Sequence, residues 1–212
     1  DVRAAWPLNV ELPGATRAVD LVFRITLADG RTLVLHIEFQ GRRTHYPVPW
    51  RMLDYMTDLA QTHRLDLWSV VFYVGRGAGA DDTGQHVVNG PDGTPTLTWR
   101  YQPIRLWQMS AMELLAMGSP ALLALVGQTR IETPEVILPE VVARIRSVDD
   151  LELRGRLFSA LTTLMHEEEM VTMVEKLLER EELLLDTPYL RRIRGEGREE
   201  GREEGREEGA LI

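Results

Sequence analysis

The chain has 212 residues, 44% of them hydrophobic and 27% charged, and a formal net charge of −9. No apolar run approaches the roughly 18 residues of a membrane span, and the N-terminal residues lack the charged-then-apolar order of a signal peptide, so we expect a cytoplasmic protein that does not act at a membrane. The absence of cysteine excludes disulfides and thiolate metal sites, and the acidic balance counts against broad electrostatic affinity for nucleic acid.

Three strands are predicted before residue 41. LNVEL (8–12) is a short strand ended by Pro13 and Gly14. VDLVFRITL (19–27) and LVLHIEFQ (33–40) alternate apolar and polar residues, as half-buried strands do. The sequence ADGRT between these two strands predicts a hairpin.

The register of this hairpin follows from the alternation. A two-residue turn would set the apolar face of one strand against the polar face of the other, a slip that burial strongly disfavours. A three-residue loop with Gly30 in the left-handed conformation aligns the two apolar faces. We therefore predict the register in which Val22 lies opposite His36 and Asp20 lies opposite Glu38.

One face of the strand 33–40 carries an unusual set of polar side chains. Glu38 and Gln40 share this face with His36, for which packing is favoured over metal ligation. A half-solvated strand is the simplest explanation of such residues. The predicted register, however, sets the carboxylates of Asp20 and Glu38 against each other, and like charges at that position destabilise a sheet. A cation between the carboxylates would explain the pair.

A helix and a buried strand are predicted next. WRMLDYMTDLAQTH (50–63) carries an apolar stripe at helical spacing, and LWSVVFYV (67–74) is continuously apolar, as in a strand buried on both faces. Strand, helix and buried strand form a crossover unit with parallel pairing. GRGAGADDTG (75–84) is a loop whose glycines, without a following helix, support a phosphate site only weakly. TLTWRYQPIRLW (96–107) predicts a strand near a sheet edge, because Pro103 interrupts it.

The C-terminal half is helical in pattern. AMELLAM, SPALLALV and PEVVARIRSV precede a long helical stretch from residue 149 to about residue 185, and these helices are candidates for contacts in a homo-oligomer. A repeat of GREE then fills most of residues 194–209. We interpret this tail as a marginal solvated helix or a disordered segment and not as a site, since each Gly costs a helix about 1 kcal/mol relative to Ala.

The chain resembles a known nuclease superfamily in several of these stretches. AVDLVFRI, LHIEFQ, PWRMLDYM, SVVFYV, YQPIRLW and GREEGREEG together resemble the PD-(D/E)XK nucleases, and more narrowly their bacterial recombination-promoting nuclease and putative transposase group (Rpn-like, YhgA-like). The resemblance implies an α/β fold of the restriction-endonuclease type, with a mixed β-sheet flanked by helices and a helical C-terminal extension. It also implies Mg²⁺-dependent hydrolysis of DNA phosphodiester bonds, linked to recombination or mobile elements.

The resemblance also implies roles for single residues. Asp20 and Glu38 fall on the metal-binding acids of the family. Gln40 takes the last position of the E-x-K pair, where most of the superfamily has Lys. Asp20, Glu38 and Gln40 are therefore catalytic candidates, with Asp20 and Glu38 as Mg²⁺ ligands. Arg51 and Tyr55 lie where the group has an R-x-x-x-Y helix, although the apolar stripe of that helix favours Tyr55 as a core residue.

Basic residues follow the polar strand directly. The segment from residue 40 to residue 51 contains three arginines and no acid, which makes Arg42, Arg43 and Arg51 candidates for substrate binding. A solvated loop explains the first two equally simply. Arg51 is as well explained by pairing with Asp54 on the helix surface. Glu11, on the first predicted strand, is a further candidate acid.

Three regions and two functions are predicted from these observations. We expect a nuclease-like core over residues 1–110, a helical region over residues 111–193 and a charged tail over residues 194–212. The favoured function is a metal-dependent DNA endonuclease. The alternative is a nuclease-fold protein with weak catalysis that serves as a DNA-binding or assembly module, because the net charge is acidic and Gln replaces the usual Lys.

Overall fold

The structure is a computed structural model that describes residues 1–7, 20–42, 44, 46–165 and 167–179. The predicted strand 8–12 with Glu11, the candidate Arg43 and the tail 194–212 lie outside the described residues. The chain divides into two compact units, one from Asp1 to Trp107 and one that begins at Gln108.

The first unit is built on a five-stranded mixed β-sheet. The described residues of this unit form seven strands: β1 (Val2–Pro7), β2 (Leu21–Leu27), β3 (Thr32–Gln40), β4 (Asp66–Tyr73), β5 (Gln85–Asn89), β6 (Pro95–Arg100) and β7 (Gln102–Arg105). The main sheet has the order β1-β2-β3-β4-β7, while β5 and β6 form a separate two-stranded sheet. The pairs β1–β2 and β2–β3 are antiparallel, and β3–β4 and β4–β7 are parallel. The fold is therefore mixed α/β, as predicted.

The predicted hairpin register is confirmed. Leu21 pairs with Ile37 and Val22 pairs with His36. Gly30 has a φ of +89°, and its backbone N–H donates to the carbonyl of Leu27 at 3.0 Å. A residue with a Cβ is disfavoured in this left-handed conformation, which is why the turn uses glycine.

The helix α1 (Val48–His63) crosses from β3 to the parallel strand β4, as the sequence predicts. Met52, Tyr55 and Leu59 are buried on its inner side, and Leu59 packs with Val22 and Val34 of the sheet. The helix ends at residue 63, and residue 64 adopts a left-handed cap with a φ of 51°. These contacts place α1 on the sheet face that carries the polar side chains of β3.

The interpretation of β3 as half-solvated on its polar face is therefore wrong. His36, Glu38 and Gln40 are buried on the face that α1 covers, and the opposite face leaves Phe39 and Trp68 about two-fifths exposed, at 40% and 44%. Alternation shows which residues share a face, but only the packing of α1 decides which face is buried. The polar residues of this strand thus lie in an environment that demands partners.

The strand predicted over 96–107 is divided in two. Strand β6 pairs with β5, while β7 joins the main sheet as its outermost strand beside β4. Tyr101 separates them and donates its backbone N–H to the carbonyl of Gly84 at 3.0 Å. Pro103 lies in the edge strand β7, where a residue without an N–H is tolerated, as predicted.

The glycine-rich loop over residues 75–84 folds around one carboxylate. Asp82 accepts hydrogen bonds from the hydroxyls of Tyr73 and Tyr101, the second at 2.8 Å, and from the backbone N–H of Gly84 at 2.8 Å. Arg105 donates to the carbonyl of Gly79 at 2.7 Å. Strand β5 follows this loop where a phosphate-binding loop would lead into a helix.

The second unit is helical, which confirms the predicted pattern as far as residue 179. It contains α2 (Ala111–Ala116), α3 (Pro120–Leu123), α4 (Pro134–Arg146), α5 (Leu151–Leu164) and α6 (Glu168–Glu179). The stretch predicted as helical from residue 149 onward is interrupted at Met165, which is extended with a ψ of 138°. Leu138, Ile145 and Leu161 are fully buried in the core of this unit. Its use in a homo-oligomer stays a prediction.

Among the described residues, no helix combines the length and the apolar character needed to cross a bilayer.

The glycine-rich loop provides a matched pair of substitutions. Gly77 and Gly79 are both left-handed, but a Cβ at Gly79 would lie 2.5 Å from ring atoms of Tyr73, whereas a Cβ at Gly77 meets nothing within 4 Å. Gly77→Ala should cost about 1–2 kcal/mol of unfolding free energy through backbone strain. Gly79→Ala should cost about 1–3 kcal/mol more, because Asp82 holds the Tyr73 ring in place. Urea denaturation of both variants checks this, and equal losses would contradict it.

Candidate active site

Glu38 is the centre of the candidate site. Its side chain is buried on β3, and its Oε1 lies 3.1 Å from Nη2 of Arg51 in α1. The prolines at residues 47 and 49 begin this helix just before Arg51, so that the guanidinium reaches back over the end of β3. A buried carboxylate without a cationic partner would cost several kcal/mol, and Arg51 offsets part of that cost.

Gln40 is bound to the same guanidinium. Nη2 of Arg51 donates to Oε1 of Gln40, and Nε2 of Gln40 donates to the carbonyl of Gly41 at 2.8 Å. Both ends of the amide are therefore occupied by protein groups. Gln40 positions Arg51 against Glu38, a role for which Lys is unsuited because an ammonium only donates hydrogen bonds.

Asp20 is brought to the end of β3, as the register predicts. It immediately precedes β2, and its Oδ2 accepts a hydrogen bond from the backbone N–H of Phe39 at 2.7 Å. Its side chain is exposed to solvent. Asp20 therefore closes the β2–β3 ladder beside Glu38 and keeps a carboxylate at the solvent boundary of the site.

The surroundings of Glu38 favour its protonated form. Burial raises the pKa of the Glu38 carboxyl from its ordinary 4.5 to about 7, and the negative charge of Asp20 adds to this effect. The positive charge of Arg51 and a hydrogen bond from the Asp20 backbone act in the opposite direction but do not cancel it. An additional positive charge close to Glu38 would stabilise its ionised form and lower its pKa again.

His36 packs inside this site, as the sequence favours. Its ring is fully buried, lies edge-on to Tyr55 with centroids 5.6 Å apart, and places Nδ1 3.3 Å from the hydroxyl of Ser69. Its Nε2 is 4.0 Å from Oε2 of Glu38, and neither atom has a hydrogen-bond partner among the described residues. Burial lowers the pKa of His36 to about 4. The sequence places His36 and Glu38 on one face of the strand, but it does not give the distance between their side chains.

The remaining basic candidates are not all gathered at Glu38. Arg42 is exposed, and its Nε donates to the carbonyl of Arg76 in the glycine-rich loop. Arg43 lies outside the described residues. Of the three predicted substrate-binding arginines, Arg51 is the one that the structure places in contact with Glu38.

The side chains at this site fit a hard divalent cation. Mg²⁺ is bound in proteins by one or two carboxylates together with waters and substrate oxygens. Asp20 and Glu38 supply those carboxylates at the end of β3, and Oε2 of Glu38 has no hydrogen-bond partner in the described part of the chain. No group of three or more His, Asp or Glu placed for metal binding occurs among the described residues, so waters and substrate would complete the shell.

No protein-family model, curated protein or solved structure matches the chain.

The raised pKa of Glu38 predicts a specific pH dependence of stability. Between about pH 4.5 and pH 7 the folded state binds more protons at Glu38 than the unfolded state, so the free energy of unfolding should fall as pH rises through this range. His36 acts oppositely between about pH 4 and pH 6.5, where the unfolded state binds more protons, so stability there rises with pH.

Glu38→Gln isolates the contribution of this carboxyl. In EDTA, the unfolding free energy of the wild type relative to Glu38→Gln should decline with pH until about pH 7, by at most about 1.4 kcal/mol per pH unit. Urea denaturation across this range measures the difference. Glu175→Gln, which changes an exposed acid of α6, is the control and should show no such decline. A pH-independent difference for Glu38→Gln would show that Glu38 titrates normally.

Proposed function

We propose that the chain is a metal-dependent DNA endonuclease with a restriction-endonuclease-like fold, related to the recombination-promoting nucleases. One observation carries this proposal. A buried carboxylate, Glu38, lies beside a second acid, Asp20, and keeps one oxygen without a hydrogen-bond partner among the described residues. Two neighbouring carboxylates repel each other and destabilise the sheet when no ion is bound, and a divalent cation between them removes this repulsion.

The sheet supports the proposal at the level of the fold. A mixed sheet with a helix packed on it agrees with the architecture that the family resemblance implies. Strands β2 and β3 and helix α1 deliver Asp20, Glu38 and Arg51 to one place. Glu38 and Arg51 stand on regular elements and Asp20 immediately precedes one, and regular elements hold a site more rigidly than loops do.

The residues have distinct roles in phosphodiester hydrolysis. Asp20 and Glu38 would hold Mg²⁺, which when bound supplies charge neutralisation and a bound water of lowered pKa. Arg51 has five N–H donors; its Nε is buried, and the terminal N–H groups not engaged by Glu38 and Gln40 suit a phosphate oxygen of the substrate. Gln40 acts as a positioning residue, since its amide is committed to Arg51 and to the Gly41 carbonyl.

A specific observation favours the alternative function, a nuclease-fold protein with weak catalysis that binds DNA or serves assembly. Arg51 already pairs with Oε1 of Glu38, and the residue that replaces the usual Lys is engaged by the same guanidinium. An internal cation at this position competes with a metal ion for the carboxylate. The two functions differ in whether DNA is cut.

Nicking of supercoiled plasmid in Mg²⁺ tests the favoured function. The wild type should nick the plasmid, and Asp20→Ala and Glu38→Ala should each reduce the rate on the order of a hundredfold or more, because each removes a carboxylate that holds the ion. Glu168→Ala and Glu175→Ala, which alter exposed acids of α6, should retain the wild-type rate. Equal nicking rates in all four variants would show that Asp20 and Glu38 do not form the active site. A wild type that retards DNA in a gel without cutting it would favour the alternative.

A further inference from the structure

His36 and Glu38 direct polar atoms at each other without forming a hydrogen bond. Nε2 of His36 and Oε2 of Glu38 face each other at 4.0 Å, the His36 side chain is fully buried, and that of Glu38 is 6% exposed. Both atoms lack a hydrogen-bond partner among the described residues. Buried polar atoms are nearly always paired, so two unpaired atoms directed at one gap call for an explanation.

A direct hydrogen bond does not close this gap. If Nδ1 donates to the Ser69 hydroxyl, Nε2 carries a lone pair. An ionised Glu38 then presents a second acceptor to it, and the hydroxyl of a protonated Glu38 at 4.0 Å is too far away to donate a hydrogen bond. If Nε2 carries the proton instead, the separation of 4.0 Å is still too long for a hydrogen bond to Glu38. The gap therefore needs a third species that binds both atoms.

A divalent cation meets this need. Metal bonds to imidazole nitrogen and carboxylate oxygen are about 2.0–2.2 Å long, so two ligand atoms lie about 3.4 Å apart around a tetrahedral ion and about 4.2 Å apart on opposite sides of an octahedral ion. The 4.0 Å between Nε2 and Oε2 therefore suits opposite ligands, or shortens by about 0.6 Å around a tetrahedral ion. The Ser69 hydroxyl at Nδ1 is the kind of outer partner that fixes the ring of a metal-binding histidine. Tyr55 packs against the same ring and limits its rotation.

We propose that His36 Nε2 and Glu38 Oε2 are ligands of one cation site, and that the imidazole directs this site toward Co²⁺ or Zn²⁺. Imidazole suits such borderline ions, whereas Mg²⁺ prefers oxygen ligands. The inference rests on the proposed function in that it concerns the cation of the same site. It can nevertheless be measured without DNA.

Calorimetric titration of the metal-free protein with ZnCl₂ and, separately, with MgCl₂ tests this assignment. Zn²⁺ binds most nitrogen-containing sites more tightly than Mg²⁺, so the wild type alone decides nothing. His36→Gln should weaken Zn²⁺ binding at least about tenfold and change Mg²⁺ binding less than about twofold, because Mg²⁺ draws little from imidazole. Glu38→Gln should weaken the binding of both ions.

His63→Gln is the matched control. Nε2 of His63 is also buried without a hydrogen-bond partner among the described residues, yet the described residues include no carboxylate that forms an ion pair with it. This variant should bind Zn²⁺ as the wild type does. The absorption spectrum of bound Co²⁺ should change in His36→Gln and stay unchanged in His63→Gln, since only the first alters a ligand.

Equal Zn²⁺ affinity in the wild type, His36→Gln and His63→Gln would overturn the inference and leave a bridging water in the gap. If circular dichroism shows that His36→Gln is unfolded, Ser69→Ala decides: a several-fold loss of Zn²⁺ affinity supports ligation, and an unchanged affinity overturns it. Failure of the proposed function is distinguishable. Zn²⁺ binding that depends on His36 in a protein that cuts no DNA would refute the nuclease and not the site. Mg²⁺-dependent cutting with Zn²⁺ affinity independent of His36 would refute the inference alone.

Discussion

Glu38 lies on the one face of β3 that helix α1 covers, and this burial constrains everything around it. A carboxylate removed from water costs several kcal/mol unless a positive charge or hydrogen bonds replace its hydration. Arg51 supplies the charge on one side, and Gln40 holds the guanidinium in place. Helix α1 starts at residue 48, directly after Pro47, and this start brings Arg51 within reach of Glu38.

Among the described residues, one carboxylate oxygen of Glu38 has a cationic partner and the other has no hydrogen-bond partner, and this difference connects structure to function. Oε1 pairs with Arg51, whereas Oε2 faces His36 across 4.0 Å and has no hydrogen-bond partner among the described residues. Burial raises the pKa of the Glu38 carboxyl, and the negative charge of Asp20 at the solvent boundary adds to this rise. Carboxyl groups with a perturbed pKa are concentrated at functional sites. A cation bound to Oε2 would replace the hydration that this oxygen loses on burial.

Sequence reasoning predicted the parts of this site that depend on local pattern. The three-residue hairpin loop followed from face parity alone, and the parallel crossover β3–α1–β4 followed from the periodicities of its segments. Which face of β3 is buried did not follow, because alternation is symmetric until a helix packs on one side. The strand 96–107 was predicted as one element because its alternation continues through the break at Tyr101. The gap between His36 and Glu38 depends on side-chain positions to within an ångström, which no spacing rule provides.

The most direct test of the central claim, that Glu38 is a cation ligand, is a crystal of the wild type soaked in Mn²⁺ and measured at a wavelength where manganese scatters anomalously. We predict an anomalous peak within coordination distance of Glu38 Oε2, about 2.0–2.3 Å away. A well-ordered site in which Arg51 keeps its contact with Glu38 and no peak lies near that carboxylate, at saturating Mn²⁺, would contradict the metal site and the nuclease function with it.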